Sequence, residues 1–287
     1  MNSPKEIINR YAIKPRKKLG QSFLVDQNII RKIFSISQVS KNDIIVEVGA
    51  GIGVLTQDLA ENASKLIAVE IDEKLIEVLN DRLLEYNNVQ IHHGDILKFD
   101  FSAIARNGKQ KIKVIGNVPY NISSSLLFHL ISYRKVIDSF VLMLQKEVVQ
   151  RLIATPGGKD YGIPSVILQM FAKVEKVLDI PAVCFHPIPK VESSVMTGFF
   201  REKPLVELTD EDFFIKLIRA AFAQRRKMLI NNLKKSRLIE DISESLLKEL
   251  LEMEEIDGHR RSETLSVKEF GALSNILFKG QTKPLIK

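Results

Sequence analysis

A glycine-rich loop that directly follows a short apolar segment narrows the possible folds of this chain. Residues Ile44 to Val48 have the β-branched composition of a buried strand, and the segment Gly49 to Gly53, with the sequence GAGIG, follows at once. Glycines in such a turn let the backbone approach a ligand closely. Val54 stands where the dinucleotide-binding pattern G-x-G-x-x-G requires its last glycine. The loop therefore predicts either a ligand other than a dinucleotide or a purely structural turn.

The first two hundred residues continue as an alternation of β-branched and amphipathic segments. This alternation is typical of an α/β fold in which crossover helices connect parallel strands. We expect the sheet to be closed by two further strands, at Val174 to Ile180 and at Ser194 to Phe200. The predicted parallel strands cover residues 44–48, 66–69, 89–92, 113–115 and 140–144, and the predicted helices cover residues 55–60, 73–84 and 124–131.

A domain boundary is predicted after the last of these strands. The segment Arg201 to Pro204 carries a proline, and the sequence beyond it has the periodicity of helices. We therefore expect a sheet domain at 1–203, which includes the N-terminal arm, and a small all-α domain at 204–287. Apolar residues recur at helical spacing from Phe214 to Phe222, so one helix of the second domain should bury one face.

Two acidic residues are predicted to meet the glycine loop at the carboxyl edge of the sheet. Glu70 ends the second strand, 21 residues after Gly49, where a carboxylate can bind both hydroxyls of an adenosine ribose. Asp95 follows the third strand, where it can accept a hydrogen bond from the adenine amino group, and Ile96 can lie against the ring. The alternative is that both acids lie in unrelated surface loops. Together with the glycine loop, they resemble the S-adenosylmethionine methyltransferases, whose cofactor carries no phosphates.

The fourth strand ends in the tetrapeptide Asn117-Val118-Pro119-Tyr120, which suits methylation of an exocyclic amino group. The lone pair of such a nitrogen is delocalised into the base. The Asn117 side-chain oxygen and the backbone carbonyl of Val118 or Pro119 can accept its two N–H bonds and free that pair. Pro119 fixes φ and removes a competing donor, while Tyr120 can stack on the base. Positioning and electrostatics then carry the reaction without a strong base. An ordinary turn is the alternative interpretation.

A second aromatic residue, Phe185, begins a proline-rich loop that runs to Ser193. An adenine must be unpaired or flipped before an enzyme can reach its amino group, and it is then held by stacking. Phe185 is therefore a candidate for the other face of the base. The alternative places its ring in the hydrophobic core.

Positive charge is concentrated in two segments of the chain. The sequence has 42 Lys and Arg against 35 Asp and Glu, a net charge of +7. Residues 1 to 41 hold nine basic and two acidic side chains, so this arm accounts for +7, and Lys17 and Lys18 are the predicted phosphate contacts. The alternative is a solvated terminus. A second basic segment, residues 213 to 239, contains the predicted RNA contacts Arg225, Arg226 and Lys227. Its alternative is pairing with the acidic segment 240 to 257.

Composition excludes several other classes of protein. With 45% hydrophobic and 27% charged residues, the chain has the composition of a globular protein. Its apolar runs are too short for a membrane span, and its N-terminal sequence lacks the pattern of a secretory signal, so we expect a cytoplasmic protein without a membrane partner. Cys184 is the single cysteine, and the five histidines show no zinc-ligand spacing, so no metal site is expected.

The chain resembles the ribosomal RNA adenine dimethyltransferases, specifically the type that modifies the small subunit. The resemblance implies a Rossmann-like class I methyltransferase sheet, with S-adenosylmethionine as cofactor and S-adenosylhomocysteine as product. It also implies that residues 22 to 24 form a lid over the cofactor. The family often has Asn at the position of Ser22, so a backbone contact is expected there. The resemblance rests on segments 17–24, 47–53, 94–96, 117–120, 145–148, 161–162 and 185–193 with Glu70, and it implies a cofactor site of Ser22, Leu24, Gly49, Gly51, Glu70, Asp95 and Asn117.

Within this family the sequence favours one substrate. Segments 221–229, 231–233 and 260–266 are similar to the small-subunit type and differ from the erythromycin-resistance branch, which methylates large-subunit RNA. We therefore expect dimethylation of the N6 amino groups of two adjacent adenines near the 3′ end of 16S rRNA in the immature small subunit, by a monomeric enzyme. A non-catalytic assembly or transcription factor that kept the fold is the hypothesis from another class.

Overall fold

The computed structural model describes residues 3–105 and 111–282, which form two compact units. The sheet unit contains residues 1–149 and 174–200, and the helical unit contains residues 150–173 and 201–287. Within the described residues the strands are β1 (Phe23–Leu24), β2 (Ile44–Val48), β3 (Lys65–Glu70), β4 (Val89–His93), β5 (Ile112–Asn117), β6 (Ile137–Gln145), β7 (Ala172–Ile180), β8 (Phe185–His186) and β9 (Ser193–Phe200). The helices are α1 (Pro4–Arg10), α2 (Gln27–Ser37), α3 (Thr56–Asn62), α4 (Glu73–Arg82), α5 (Ser123–Ser132), α6 (Lys146–Leu152), α7 (Ile163–Phe171), α8 (Glu211–Ala221), α9 (Leu229–Lys234), α10 (Glu244–Met253) and α11 (Val267–Thr282).

The main sheet confirms the predicted α/β fold. Seven strands in the described part of the chain follow the order β4-β3-β2-β5-β6-β9-β7. The pairs from β4 to β6 are parallel, and β9 joins β6 antiparallel. After β2 the chain adds β3 and β4 on one side and then returns to place β5 on the other side. The carboxyl ends of β2 and β5 therefore flank the point where open α/β sheets bind their ligands.

Apolar side chains bury the centre of this sheet on both faces. Ile45 and Val46 in β2, and Leu66 and Ala68 in β3, are all completely shielded from solvent. Strands of parallel sheets are buried in this way because crossover helices cover both faces, and near-continuous apolar runs are the result. The predicted crossover helices are observed as α3, α4 and α5.

The N-terminal segment packs against the sheet unit as an ordered structure. Ser3 caps α1 through a reciprocal capping box with Glu6, and the helix buries Ile7 and Ile8. These two residues join an apolar cluster that includes Phe23, Leu75 and Val78. The strand β1 then pairs antiparallel with β8, which lies more than 160 residues later. The alternative of a solvated, poorly ordered terminus is therefore wrong for residues 4–10 and 23–24, whereas Lys17 and Lys18 between them are exposed.

The helical unit includes residues that the sequence assigned to the first domain. The predicted boundary lay between residues 203 and 204, whereas the units divide at 200/201 and the segment 150–173 belongs to the helical unit. Helix α7 explains the difference because it contacts α8 and α11. The ring of Phe171 meets that of Phe214 at 6.3 Å between centroids. The predicted apolar face of α8 is observed from Phe214 to Ala221, with Asp210 as the N-cap, whereas Phe222 lies at the C-cap and is half-buried.

Across residues 3–105 and 111–282, the helices are all too short or too polar to pass through a lipid bilayer.

Candidate active site

A cavity of about 280 Å³ opens at the carboxyl ends of β2, β3, β4 and β5. The predicted residues Ser22, Gly49, Gly51, Glu70, Asp95, Asn117, Pro119 and Tyr120 all line it. Gln21 and Phe23, which belong to the segment 17–24 that carried the family resemblance, line it too, whereas other lining residues were not singled out from the sequence: Ile71, Leu75, Asn121 and Ile122. Of these, Ile71 and Asn121 directly follow Glu70 and Tyr120, so adjacency to a predicted site residue was the available signal.

Positive φ angles in the glycine loop bring its backbone up to the cavity. Gly49, Gly51 and Gly53 have φ of +64°, +60° and +76°, a region that side chains disfavour. The amide of Gly49 donates to the carbonyl of Val69 at 2.9 Å, which fixes the loop on β3. A side chain at Gly49 would approach the Asn117 carbonyl oxygen to 3.4 Å, so the absence of one keeps β2 and β5 open to a ligand between them.

The Glu70 carboxylate organises the turn after β3. One oxygen accepts from the Gly51 amide at 2.9 Å, and the other accepts from the amides of Ile71 and Asp72 at 2.8 and 2.9 Å. Burial raises its pKa, although these three donors oppose the rise. Each carboxylate oxygen offers two lone pairs, so the oxygen that faces Gly51 retains acceptor capacity.

Asp95 lines the same cavity, at the end of the neighbouring strand β4. It caps a short 3₁₀ turn, and its Oδ1 accepts from the Leu97 amide at 2.9 Å. Its second oxygen is available to a donor in the cavity. Ile96 lines the same wall and is buried. Asp95 and Ile96, the predicted contacts of the adenine ring, thus line the same cavity, as expected.

Asn117 is held by the N-terminal segment in an orientation that suits catalysis. Its Nδ2 donates to the carbonyl of Ser22 at 3.1 Å. With the amide nitrogen engaged, Oδ1 is the atom left to accept a hydrogen bond from a ligand. The Ser22 hydroxyl instead donates to the Pro187 carbonyl at 2.9 Å, so Ser22 presents its backbone to the site.

Tyr120 is anchored at its hydroxyl rather than at its ring. The hydroxyl lies 2.8 Å from Oγ of Ser193, a fully buried side chain, and burial raises the tyrosine pKa. The ring is therefore held in one orientation beside the cavity. Ser193 stands at the end of the proline-rich loop, and its role as the anchor of Tyr120 was not predicted.

Leu24 and Phe185 lie outside the lining of this cavity. They face each other in the β1–β8 pair, and both are 2% exposed. Leu24 contributes instead to a second, smaller cavity of about 30 Å³ beneath the glycine loop. Phe185 belongs to the core cluster with Ile180 and Val195, which agrees with the alternative interpretation that its ring lies in the hydrophobic core. Stacking on a base would require this ring to be uncovered.

The predicted basic residues differ in their surroundings. Lys17 and Lys18 are exposed and immediately precede the cavity wall at Leu19. In the helical unit, the Arg225 guanidinium pairs with Glu263 at 3.1 Å and also donates to the Lys159 carbonyl. Arg226 and Lys227 are exposed and have no ion-pair partner within the described ranges. Pairing of the basic with the acidic segment does occur, between Lys234 and Glu244 at 2.5 Å.

Glu47, the residue two positions before the glycine loop, is a buried acid. It is 2% exposed, it lines the smaller cavity, and its Oε2 finds no hydrogen-bond partner among the described residues. Burial, reinforced by the negative charge of Glu70, raises the Glu47 pKa to about 8. We therefore expect Glu47 to keep its proton in the folded protein at neutral pH.

This shift predicts that the sheet unit loses stability as pH rises. Between the ordinary carboxyl pKa and about 8 the folded chain holds a proton that the unfolded chain releases, so the unfolding free energy falls by up to about 1.4 kcal/mol per pH unit. Glu47→Gln should remove this slope and raise the urea midpoint at pH 9 while leaving it nearly unchanged at pH 5. The exposed Glu77→Gln serves as the control. Parallel slopes for Glu47→Gln and wild type would show that Glu47 is ionised in the fold.

The lining of the main cavity suits a cofactor that is free of phosphates. Among the described residues that form it there is no lysine or arginine, whereas Glu70 and Asp95 contribute two carboxylates. A pyrophosphate would meet repulsion here, while ribose hydroxyls, an adenine amino group and a cationic sulfonium all meet acceptors. The residues present therefore fit S-adenosylmethionine.

Comparisons with known proteins agree with this geometry. The family model described as ribosomal RNA adenine dimethylase matches residues 12–273. A protein of Syntrophus aciditrophicus named ribosomal RNA small subunit methyltransferase A is 44% identical over 278 residues, which cover 96% of this chain and 99% of that relative. A protein of the same name from Bacillus mycoides is 41% identical over 280 residues, with 96% of each chain covered.

Solved structures show the same fold. A dimethyladenosine transferase from Plasmodium falciparum superposes with a TM-score of 0.77 at 29% identity, covering 86% of this chain and 94% of that one. The 23S rRNA methyltransferase ErmE superposes with a TM-score of 0.68 at 21% identity, covering 89% and 99%. The second likeness concerns the fold alone.

Proposed function

The chain belongs to the ribosomal RNA adenine dimethylase family, and from this premise we propose that it dimethylates the N6 amino groups of two adjacent adenines near the 3′ end of 16S rRNA in the immature small subunit. The resemblance predicted from the sequence is thereby confirmed at the level of the family. One structural observation carries the proposal: the Asn117 to Tyr120 turn and the two carboxylates Glu70 and Asp95 line one cavity that contains no basic side chain among its described residues.

The proposed cofactor, S-adenosylmethionine, supplies a methyl group already attached to a cationic leaving group. In this site Glu70 accepts from the ribose hydroxyls, and Asp95 accepts from the adenine amino group of the cofactor. Ile71, 47% exposed at the cavity edge, offers an apolar surface for that ring. The backbone of Gly49 and Gly51 leaves room for the amino-acid portion.

The acceptors for the target amino group come from the turn after β5. Asn117 Oδ1 accepts one N–H bond, because Nδ2 is already held by the Ser22 carbonyl. The Pro119 carbonyl already uses one of its two lone pairs to accept from the Ile122 amide at 3.1 Å, so we assign the second N–H bond to the Val118 carbonyl, for which there is less competition. Both bonds draw the nitrogen towards tetrahedral geometry, while Tyr120 fixes the plane of the base by stacking. Catalysis then depends on position rather than on a general base.

The proposed RNA contacts are the exposed cations on each unit. Lys17 and Lys18 adjoin the cavity wall, and Arg226 and Lys227 are exposed on the helical unit. Arg225 is given a structural part in this proposal, because its guanidinium joins the loop at Lys159 to Glu263. The monomeric state and the cytoplasmic location remain predictions.

Substitutions should distinguish the proposed RNA contacts Arg226 and Lys227 from Arg225, to which we give a structural role. Arg226→Glu with Lys227→Glu is expected to weaken binding to small subunits and to reduce the slope of log K against log salt by about 0.7 to 0.9 per lost phosphate contact. Arg225→Ala should leave that slope closer to wild type and lower the thermal midpoint of the helical unit. Filter binding at several salt concentrations measures the slope, and the exposed pair Lys203→Glu with Lys268→Glu controls for the same change in net charge. An unchanged slope in the double variant would remove this surface from the RNA interface.

The proposed reaction is tested by its product. The protein is incubated with labelled S-adenosylmethionine and either unmethylated small subunits or large-subunit RNA, and the RNA is then digested. N6,N6-dimethyladenosine from the small subunit alone is the expected result. Label in large-subunit RNA alone would move the assignment to the resistance branch, and label in neither would favour a non-catalytic assembly factor.

A further inference from the structure

Asp72, the N-cap of α4, connects three parts of the proposed site although it is not one of the residues that line the cavity. It is 3% exposed. Its backbone amide donates to Oε1 of Glu70 at 2.9 Å, and its Oδ1 accepts from the Lys74 amide at 3.1 Å. Capping needs only one carboxylate oxygen, so the burial of a second charged oxygen calls for another partner.

That partner is the N-terminal segment that forms the opposite wall. Asp72 Oδ2 accepts from Nε2 of Gln21 at 2.7 Å, and Oδ1 pairs with the Arg16 guanidinium at 3.2 Å. The other end of the Gln21 amide, Oε1, accepts from the backbone amide of Arg16 at 2.7 Å. The amide of Gln21 is therefore fixed at both ends, with Asp72 as the anchor on the sheet side.

The next residue along the chain transmits this position to the catalytic turn. Ser22 follows Gln21, and its carbonyl is the acceptor that orients the Asn117 amide at 3.1 Å. A shift of segment 20–22 away from Asp72 would move that carbonyl and allow the Asn117 amide to rotate. The same shift would widen the cavity beside Glu70, whose carboxylate accepts from the backbone amide of Asp72.

We infer that Asp72 is a positioning residue for the proposed methyl transfer: through Gln21 it sets the cavity wall and the orientation of Asn117, and through its amide it holds Glu70. The inference rests on the proposed function and adds a residue that makes no contact with the reacting atoms. Because Asp72 acts on both Glu70 and Asn117, its replacement should change both cofactor affinity and turnover.

Asp72→Asn tests this role because asparagine is an equally good helix cap of nearly the same size. If Oδ1 of the asparagine keeps the cap, its NH₂ takes the place of Oδ2 and faces the NH₂ of Gln21, while Arg16 loses its charged partner, so the link between the two walls should break. We expect about a tenfold loss of S-adenosylhomocysteine affinity by calorimetry, since a hydrogen bond to a buried charge is lost. At saturating cofactor kcat should also fall, while KM for small subunits stays unchanged. A global defect would change the thermal midpoint and the KM for small subunits as well.

A second substitution supplies a rescue. In Asp72→Asn with Gln21→Glu, the donor and the acceptor exchange places, so the hydrogen bond is restored and Arg16 again faces a carboxylate. Recovery of most of the affinity and of kcat is expected. Asp81→Asn is the matched control, because Asp81 is also on α4 and binds the N-terminal segment, through the Tyr11 hydroxyl, yet lies apart from Gln21 and Glu70. It should leave both readouts unchanged.

The outcomes separate the inference from the function on which it rests. A wild-type protein that binds no S-adenosylhomocysteine would refute the cofactor proposal itself. Wild-type binding together with unchanged affinity and kcat in Asp72→Asn would overturn the role of Asp72 alone. If Asp72→Asn fails to fold, Gln21→Ala decides, since it removes the same link without touching the helix cap. Wild-type affinity and kcat in that variant would overturn the inference.

Discussion

Asn117→Ala is expected to abolish measurable methyl transfer, while the protein should still fold and bind S-adenosylhomocysteine. The alanine removes the one side-chain oxygen that the Ser22 contact directs at the target amino group. Loss of a single preorganised hydrogen-bond partner costs about 10²–10³ in rate, and loss of alignment adds to it. Single-turnover transfer to small subunits, measured at saturating cofactor, should therefore fall by about 10³-fold or more.

Asn117→Asp separates orientation from hydrogen-bond acceptance. Aspartate keeps an oxygen acceptor but cannot donate to the Ser22 carbonyl, so its carboxylate is repelled from that position. We expect an intermediate loss of rate. Asn62→Ala is the control, because among the described residues that amide bonds within α3, to the Asp58 carbonyl. Turnover of Asn117→Ala within threefold of wild type would contradict the proposed role.

Gly116→Ala should produce the largest loss of stability among single methyl additions near the site. Gly116 pairs with Val48 across β5 and β2, and a Cβ at this position would lie 2.5 Å from the Val48 carbonyl oxygen and 2.8 Å from its Cβ. Both atoms belong to a buried strand and cannot rotate away. Overpacking against side chains costs about 1–3 kcal/mol, and a clash with backbone at the centre of a sheet should reach or exceed the upper figure.

Urea unfolding followed by intrinsic fluorescence and by circular dichroism measures this loss. Gly162→Ala is the comparison variant, because its Cβ would have no neighbour within 4 Å and its φ of −175° is open to any residue, so its cost is limited to a weaker N-cap of α7. We expect a second effect in the fraction of Gly116→Ala that folds. Displaced strands would move Asn117 away from Gly49 and reduce the affinity for the cofactor. Equal urea midpoints for the two alanine variants would contradict the clash.

The elements that sequence predicts well are those with a local signal. The strand Ile44–Val48 has its predicted bounds, and the other parallel strands lengthen by only a few residues, because buried apolar runs end where turns begin. The convergence of Gly49, Glu70, Asp95 and Asn117 follows from topology, since parallel strands place their carboxyl ends at one edge.

Contacts between distant segments could not be predicted in this way. The β1–β8 pair consists of two two-residue strands, which are too short for any periodicity, yet it buries Phe185. The partners of Asn117 and Tyr120, at Ser22 and Ser193, depend on where these distant segments meet. Arg225 and Arg226 are neighbours of identical type, and only the loop at Lys159 distinguishes them. Charge patterns predict where cations accumulate, while the fold decides which of them are already neutralised.

The helical unit is assembled from two separate stretches of chain, 150–173 and 201–287, and this has a consequence for the exchange of parts between relatives. In a chimera that replaces the C-terminal stretch alone, Phe171 of the recipient would face whichever residue the donor has at the position of Phe214. The two stretches must therefore be inherited or transplanted together. A specificity determinant carried by this unit therefore cannot be moved as one contiguous segment. Relatives that differ in RNA target should show paired sequence changes, one before residue 174 and one after residue 200.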